Sequence, residues 1–145
     1  MIGLLQRVTQ AHVSVAGRSV VSIGRGLLVL VGVERADTPV HAARLAARLM
    51  AYRVFPDERG RMNRSVVDIG GGILLVSQFT LMADTTSGNR PSLSRGADPD
   101  TGRRLFGELV LACEQLGPTV ASGPFGADMQ VGLVNDGPVT FWLRA

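Results

Sequence analysis

Two stretches of the chain are apolar at every position. Gly26–Val33 and Ile73–Val76 contain no polar or charged side chain. A strand that is covered on both faces has a continuous apolar sequence, whereas a half-exposed strand alternates apolar and polar residues. We therefore expect two central strands of one sheet, each buried on both faces.

Shorter segments, several with partial alternation, predict the other strands, and turns rich in glycine, proline or aspartate separate them. These predicted strands are Ile2–Val8, His12–Val15, Arg18–Ile23, Arg53–Phe55, Thr119–Ser122, Met129–Asn135 and Val139–Leu143. A break near Gln10 separates the first two, and the turn Asn135–Pro138 joins the last two.

Apolar spacings of three and four residues predict two helices. The first covers Val40–Tyr52 and follows Pro39, which is tolerated in a first turn because its N–H would have no partner there. The second begins near Asp98 or Asp100, continues to about Leu116 and is stopped by Gly117-Pro118. The predicted apolar stripes are Val40, Ala43, Leu45, Ala47, Leu49 and Met50 in the first helix, and Leu105, Leu109 and Ala112 in the second. Together these elements predict one α/β domain over residues 1–145, with a strand-rich core.

Composition narrows the class of protein. The chain has 145 residues, of which 46% are apolar and 19% charged, which suits a single folded domain. Its longest apolar run is far shorter than the roughly 20 residues of a membrane helix. The first residues lack a secretory apolar segment, and the one cysteine, Cys113, allows no disulfide within the chain. We expect a soluble cytoplasmic protein with no membrane partner.

The charged residues exclude some chemistry. All fifteen basic residues are arginine, so neither a Schiff-base lysine nor a P-loop lysine is available. Two histidines and one cysteine are too few for a structural zinc site, and we expect neither metal nor cofactor. A net charge of +3 is compatible with a phosphate-rich partner. His41, Arg44 and Arg48 share one helix face; a solvated face is the simpler interpretation, and an RNA contact is the alternative.

Ser77-Gln78-Phe79-Thr80 is the first candidate site. It lies where a buried strand ends and a long Met82–Ala97 loop follows, and ligands of α/β proteins usually bind at such strand ends. Spacing alone still favours an ordinary strand end. Nothing in the sequence places His12 or His41 beside it, so a Ser-His-Asp triad is not supported. Backbone N–H groups at this strand end could stabilise an oxyanion.

Gly137-Pro138 is the second candidate. Since only about 5–6% of X–Pro bonds in folded proteins are cis, a trans turn is the first expectation. A cis corner that presents backbone carbonyls to a ligand is the alternative.

Taken together, these motifs resemble a known family. Ser77–Leu81 with Asn89-Arg90-Pro91-Ser92, and Asn135–Thr140 near the end, are similar to the two motifs of the D-aminoacyl-tRNA deacylases. Further similarity lies in Gln6–Val8, Gly26–Val33, Tyr52–Phe55 and Ala127–Val131, and it extends from Met1 to Ala145.

The resemblance implies a fold, an activity and a set of roles. The fold would be a mixed, largely antiparallel, barrel-like sheet with two main helices, in a homodimer. The enzyme would hydrolyse the ester of D-aminoacyl-tRNA, and of mischarged glycyl-tRNA, without binding DNA. Ser77, Gln78, Phe79 and Thr80 would line the catalytic pocket, where the Phe79 and Thr80 N–H groups face the ester. A cis Gly137-Pro138 from the other subunit would reject L-residues, Arg7 would brace that incoming loop, and Ala112, Phe125 and Met129 would seat the terminal adenosine.

The sequence leaves three hypotheses open. The Thr80 hydroxyl could be a nucleophile, or the 2′-hydroxyl of the terminal adenosine could activate a water. The absence of an assignable base beside Thr80 favours the second mechanism. The third hypothesis is a non-catalytic dimeric protein that binds RNA or a metabolite in the same crevice.

Overall fold

The computed structural model describes residues 1–117 and 119–145 and contains eight strands, two helices and one short 3-10 helix. The strands are β1 (Ile2–Val15), β2 (Arg18–Ile23), β3 (Gly26–Gly32), β4 (Phe55–Pro56), β5 (Met62–Arg64), β6 (Gly72–Ser77), β7 (Val120–Ser122) and β8 (Gln130–Arg144). The helices are α1 (Pro39–Ala51), α2 (Pro99–Leu116) and the 3-10 helix Phe79–Met82. Pro118, predicted to help end the second helix, lies outside the described residues.

Six strands form one mixed sheet in the order β2-β1-β3-β6-β7, with β8 on the other edge of β1. The pairs β3–β6 and β6–β7 are parallel, and the pairs that β1 makes are antiparallel. Because β2 also contacts β6 and β7, the sheet curls until it nearly closes. The expected α/β fold, a barrel-like mixed sheet with two helices, is confirmed.

The two fully apolar strands form the centre of this sheet. Leu27, Val29 and Leu75 belong to the main core beneath the helices, whereas Leu28 and Leu74 belong to a second core on the opposite face. Each of these side chains is at most 1% exposed. Alternate residues of one strand therefore fill two cores, which explains why the sequence shows no polar face.

Both long strands differ from the prediction. β1 and β8 are continuous, although the sequence predicts a break in each. They pair with each other along most of their length, and register shifts near Gln6, Val8 and Gln10 absorb the irregular residues. Polar positions that resemble a turn are held in the strands as bulges by this long-range pairing.

The stripe predicted for α1 is partly wrong. Val40 is 73% exposed, and Ala43 and Ala47 are also exposed. The buried face consists of Ala42, Leu45, Ala46, Leu49 and Met50. Alanine occurs on both faces of this helix, so the alanine positions do not indicate which face is buried. Among the described residues, no helix is both long and apolar enough to cross a membrane.

Candidate active site

A cavity of about 640 Å³ opens at the carboxyl end of β6. The start of the 3-10 helix, the first turn of α2 and the segment between β7 and β8 enclose it. Its lining residues are Val31, Val33, Val76, Ser77, Gln78, Phe79, Leu93, Ala97, Asp98, Pro99, Gly102, Phe125, Gly126, Ala127, Asp128, Met129 and Val131. The first predicted motif therefore lies at the cavity that its position at a strand end suggested.

The sheet positions the Ser77–Thr80 motif. Ser77 is in register with Val31 of β3, and the backbone N–H of Gln78 donates to the Val31 carbonyl at 2.7 Å. The chain then turns into the 3-10 helix, where Phe79 is 58% exposed and Thr80 is exposed as well. The side-chain amide of Gln78 donates to the Thr80 hydroxyl oxygen. Thr80 thus adjoins the cavity through Gln78, while the three residues before it line the cavity directly.

The backbone N–H groups of Phe79 and Thr80 are available to a ligand. Within residues 1–117 and 119–145, neither donates to a protein acceptor, and the first bond of the turn runs from Leu81 N–H to the Gln78 carbonyl at 3.2 Å. Free N–H groups are a general property of a helix start. Here they lie at the mouth of a cavity, where two such donors can stabilise an oxyanion.

Two carboxylates, Asp98 and Asp128, are the ionisable groups among the lining residues. Asp98 caps α2 by accepting from the N–H groups of Thr101 at 3.0 Å and Asp100 at 3.1 Å. Hydrogen bonding by Thr101, chiefly through its backbone N–H, holds the pKa of Asp98 below its ordinary value. Such a carboxylate is a weak base at neutral pH.

The histidines do not contribute to the cavity lining. His41 bonds the backbone N–H of Thr38 at the start of α1, and His12 lies against Gly132 on the sheet. Among the described residues, no group of three or more His, Cys, Asp or Glu side chains is placed to hold a metal ion. The arrangement thus offers hydrogen-bond donors rather than a strong protein base.

Phe125 and Met129 line one side of the cavity. The Phe125 ring packs 5.9 Å from that of Phe106, and a methyl group added at Gly102 would lie 3.3 Å from its Cζ. Ala112, expected in the same place, packs against the main core instead and is absent from the lining. It lies about 15 Å further along α2 than Gly102, at 1.5 Å per residue. Gly102, whose lack of a side chain admits the Phe125 ring, was not predicted from the sequence as a site residue.

The loop Asp136–Val139 is a wide bulge of β8. Thr140 pairs with Gln6 and Asn135 pairs with Val8, so the four residues Asp136–Val139 lie opposite Arg7 alone. The Asn135 side chain closes the base of the bulge, since its Oδ1 accepts from the Val139 N–H at 2.7 Å and its Nδ2 donates to Gln6 Oε1 at 3.2 Å. The Gly137–Pro138 peptide bond is cis, and both residues are exposed.

Arg7 braces this loop within its own chain. Its Nε donates to the Asp136 carbonyl at 2.8 Å and its Nη1 to the Val54 carbonyl at 2.6 Å. The prediction assigned Arg7 to the loop of another subunit. The cavity of the same chain is lined by none of these three residues, Arg7, Gly137 and Pro138. One chain therefore presents two separate surfaces, a cavity at the end of β6 and an exposed loop on β8.

Comparison with known proteins assigns the chain to one family. A model of the D-Tyr-tRNA(Tyr) deacylase family matches residues 4–144. The chain belongs to this family. Similar members are D-aminoacyl-tRNA deacylases of Methylococcus capsulatus, 60% identical over 99% of this chain and 94% of the relative, and of Pseudomonas entomophila, 60% identical over 99% of each.

Two solved structures share the deacylase-family fold. One, described as c-Myc DNA Unwinding Element Binding Protein, has a TM-score of 0.95 and 36% identity over 100% of this chain and 99% of its own. The other, described as a probable eukaryotic D-amino acid tRNA deacylase, has a TM-score of 0.85 and 18% identity over 99% of this chain and 98% of its own. The second likeness concerns the fold alone.

Proposed function

We propose that the protein hydrolyses the ester that joins a D-amino acid, or a mischarged glycine, to the 3′ end of tRNA. Family membership supports this activity, and the relatives of about 60% identity carry the name D-aminoacyl-tRNA deacylase. The observation that carries it is the pair of free N–H groups of Phe79 and Thr80 at a cavity with a partly apolar wall. Free D-amino acid and tRNA are the products, and cytoplasm, where aminoacyl-tRNA is used, is the proposed location.

The free N–H groups would act on the ester carbonyl. When water attacks, the carbonyl oxygen becomes an anion, and the donors of Phe79 and Thr80 stabilise it. The strand–helix junction fixes both donors before the substrate arrives, because Gln78 is held to Val31 by a 2.7 Å bond. An aminoacyl ester is already activated, so orientation and oxyanion stabilisation supply much of the required catalysis.

We propose that the 2′-hydroxyl of the terminal adenosine, rather than Thr80, promotes the attack of water. A hydroxyl nucleophile needs a group that takes its proton. In the described structure the Thr80 hydroxyl oxygen accepts a hydrogen bond from the Gln78 amide, which is a donor and cannot take the hydroxyl proton. Asp98 is a weak base because of its capping bonds. Phe125 and Met129 would seat the adenosine so that its ribose lies beside the ester.

Chiral selection would come from the second surface. We propose a homodimer in which Gly137 and Pro138 enter the cavity of the other subunit and their carbonyls meet the substrate α-amino group. Backbone rejects an L side chain by clash at the α-carbon, whatever that side chain is, so many D-residues are accepted. The separation of loop and cavity within one chain supports this arrangement, and Arg7 and Asn135 would hold the loop ready.

Loss of the ester from D-Tyr-tRNA and L-Tyr-tRNA tests the proposal. We expect rapid, enzyme-dependent loss from the D-substrate and none above background from the L-substrate. Equal inertness toward both would contradict the proposal and favour a non-catalytic nucleic-acid-binding protein. The relative described as a DNA Unwinding Element Binding Protein makes that outcome a specific rival.

A further inference from the structure

Arg103 differs in its contacts from its neighbour Arg104 and from Arg95 in the loop before α2. It is exposed on α2, and its side chain forms no ion pair or hydrogen bond with the described residues. Its neighbour Arg104 donates to Glu108 at 2.8 Å, and Arg95 donates to Asp84 at 2.9 Å. Arg103 is instead held with its guanidinium 4.9 Å from the centroid of the Phe125 ring. A cation stacked on an aromatic face keeps its N–H donors at the edge of the guanidinium free for an anion.

Phe125 separates the cavity from a second, more open groove. That groove has a volume of about 670 Å³ and lies between β2, α2 and the segment after β7. Phe125 lines both spaces, and Arg103 lines the groove beside it. The remaining groove residues are mostly apolar, with Glu114 as its one acidic member: Val20, Val21, Phe106, Gly107, Val110, Leu111, Glu114, Ser122, Gly123 and Pro124. A chain that leaves the cavity over Phe125 therefore enters this groove next to a cation.

We infer that Arg103 binds a backbone phosphate of the single-stranded 3′ segment of the RNA, where this strand passes from the cavity over Phe125 into the groove. The inference rests on the proposed function, which places the terminal adenosine in the cavity. The phosphate that precedes that nucleoside must then lie outside the cavity, near its rim. Arg103 is a preformed cation at the Phe125 part of this rim, and bidentate pairing with phosphate suits a guanidinium. The apolar groove walls suit the base faces of the strand.

A purely structural role makes a different prediction. If Arg103 only fixed the Phe125 ring, its loss would disturb every substrate that uses the cavity, with or without phosphates. A phosphate contact affects only substrates that carry the phosphate, and it contributes to the salt dependence of binding. Two substrates with the same ester therefore separate the roles: D-Tyr-tRNA, and the D-tyrosyl ester of adenosine, which has no phosphate.

The test compares Arg103→Ala, Arg103→Lys and the matched control Arg104→Ala. For D-Tyr-tRNA at low salt, we expect Arg103→Ala to raise KM by about three- to tenfold, in the range of one exposed charge-assisted contact. The slope of log(kcat/KM) against log salt should become shallower by about 0.7, the share of one phosphate on a single strand. The adenosine ester should react at nearly the wild-type rate. Arg103→Lys should retain most of the salt slope, and Arg104→Ala should behave like the wild type.

Equal losses on both substrates with an unchanged salt slope would overturn the phosphate assignment. So would wild-type behaviour of Arg103→Ala toward D-Tyr-tRNA. If the wild type hydrolyses neither substrate, the proposed function fails, and binding of uncharged tRNA, followed by fluorescence anisotropy across a salt series, still decides the role of Arg103. A dissociation constant and salt slope that do not change in Arg103→Ala would then refute it.

Discussion

Ser77 and Pro138 end up at surfaces that are built in different ways. Ser77 follows four core residues of β6 that are at most 1% exposed, and the parallel pairing with β3 fixes its position. Pro138 lies in a bulge opposite one residue. Arg7 holds the bulge by donating to the Asp136 carbonyl, and Asn135 holds it by accepting from the Val139 N–H. The first surface depends on the hydrophobic core, and the second on a few polar contacts.

The two surfaces should therefore differ in how well they tolerate substitution. A substitution that reaches the cavity through β6 risks the fold, because the strand fills two cores. A substitution in Asp136–Val139 can change the loop and leave the sheet intact, because the register resumes at Thr140. The proposed role of the loop in selectivity can therefore be tested by substitutions that leave the stability of the fold unchanged.

The largest expected effect concerns the chemistry at the cavity. A D-Tyr-tRNA that ends in 2′-deoxyadenosine should react about 10²–10⁴-fold more slowly, the range for loss of a positioned proton-transfer group. Thr80→Ala should keep a substantial part of the activity, and Thr9→Ala, exposed on β1, serves as the control. Single-turnover rates measure both. A trapped acyl-enzyme, or a loss of about 10⁴–10⁶-fold in Thr80→Ala, would instead identify Thr80 as the nucleophile.

The next effect concerns the shape of the loop. A Cβ added at Gly137 would lie 2.6 Å from Val139 Cγ2 and 2.7 Å from the Val139 backbone nitrogen, and Gly137 has a φ of +156°. The loop must therefore shift in Gly137→Ala. We expect kcat/KM for D-Tyr-tRNA to fall by about 10²-fold, as for a displacement of about 1 Å at a reacting group. The melting temperature should change little.

Gly24→Ala is the matched control, because a Cβ there meets no atom within 4 Å. It should leave activity and melting temperature close to wild type. Full activity in Gly137→Ala would show that the loop does not act on the substrate.

A smaller but more selective effect tests whether loop and cavity belong to different subunits. Gly137→Ala lacks a competent loop, and Phe79→Ala lacks an exposed wall of the cavity. In a mixed dimer, one of the two sites combines an intact loop with an intact cavity, so activity should recover to as much as half of the wild-type value. Mass spectrometry should verify subunit exchange. If exchange is complete, both parents are folded and no activity returns, loop and cavity must act within one chain.

The sequence pattern predicted the strands correctly where burial on both faces restricts the residues to apolar ones. Gly26–Val33 and Ile73–Val76 could be assigned because a strand between two cores tolerates no polar residue. The breaks predicted in β1 and β8 were wrong because pairing between distant segments overrides local turn preference. Such pairing leaves no local trace in the sequence.

In the candidate site, too, only the residues that a local sequence feature marks could be predicted. Ser77–Phe79 could be placed at a cavity because a strand end is a local feature. Asp98, Gly102 and Asp128 were not identified, because the first turn of α2 meets the segment before β8 only after folding. Ala112 was assigned from resemblance rather than from geometry, and its position on α2 places it with the core.

The smallest expected effect is a loss of stability beside the cavity that leaves the loop on β8 unchanged. Asp98 caps α2 beside the cavity, and the loop on β8 does not depend on it. Asp98→Ala should lower the melting temperature by a few degrees at pH 7, since its capping bonds to Thr101 and Asp100 are lost. Asp98→Asn should retain most of the stability because asparagine also caps. Hydrogen exchange should quicken in the first turn of α2 and stay unchanged at Val139.

The pH dependence of this effect has a definite sign. The pKa of Asp98 is lowered in the folded protein from an ordinary value of 3.8, mainly by the Thr101 hydrogen bond. Its ionised form therefore stabilises the fold above that ordinary value, and this contribution is lost as the pH falls through the lowered folded pKa. The difference in melting temperature between the wild type and Asp98→Ala should be constant from pH 7 to about 5 and should narrow as the pH falls below 3.8, through the lowered folded pKa. A difference that does not narrow with acid would show that the carboxylate's charge contributes nothing to the cap, and that the neutral side chain accepts the capping hydrogen bonds as asparagine does.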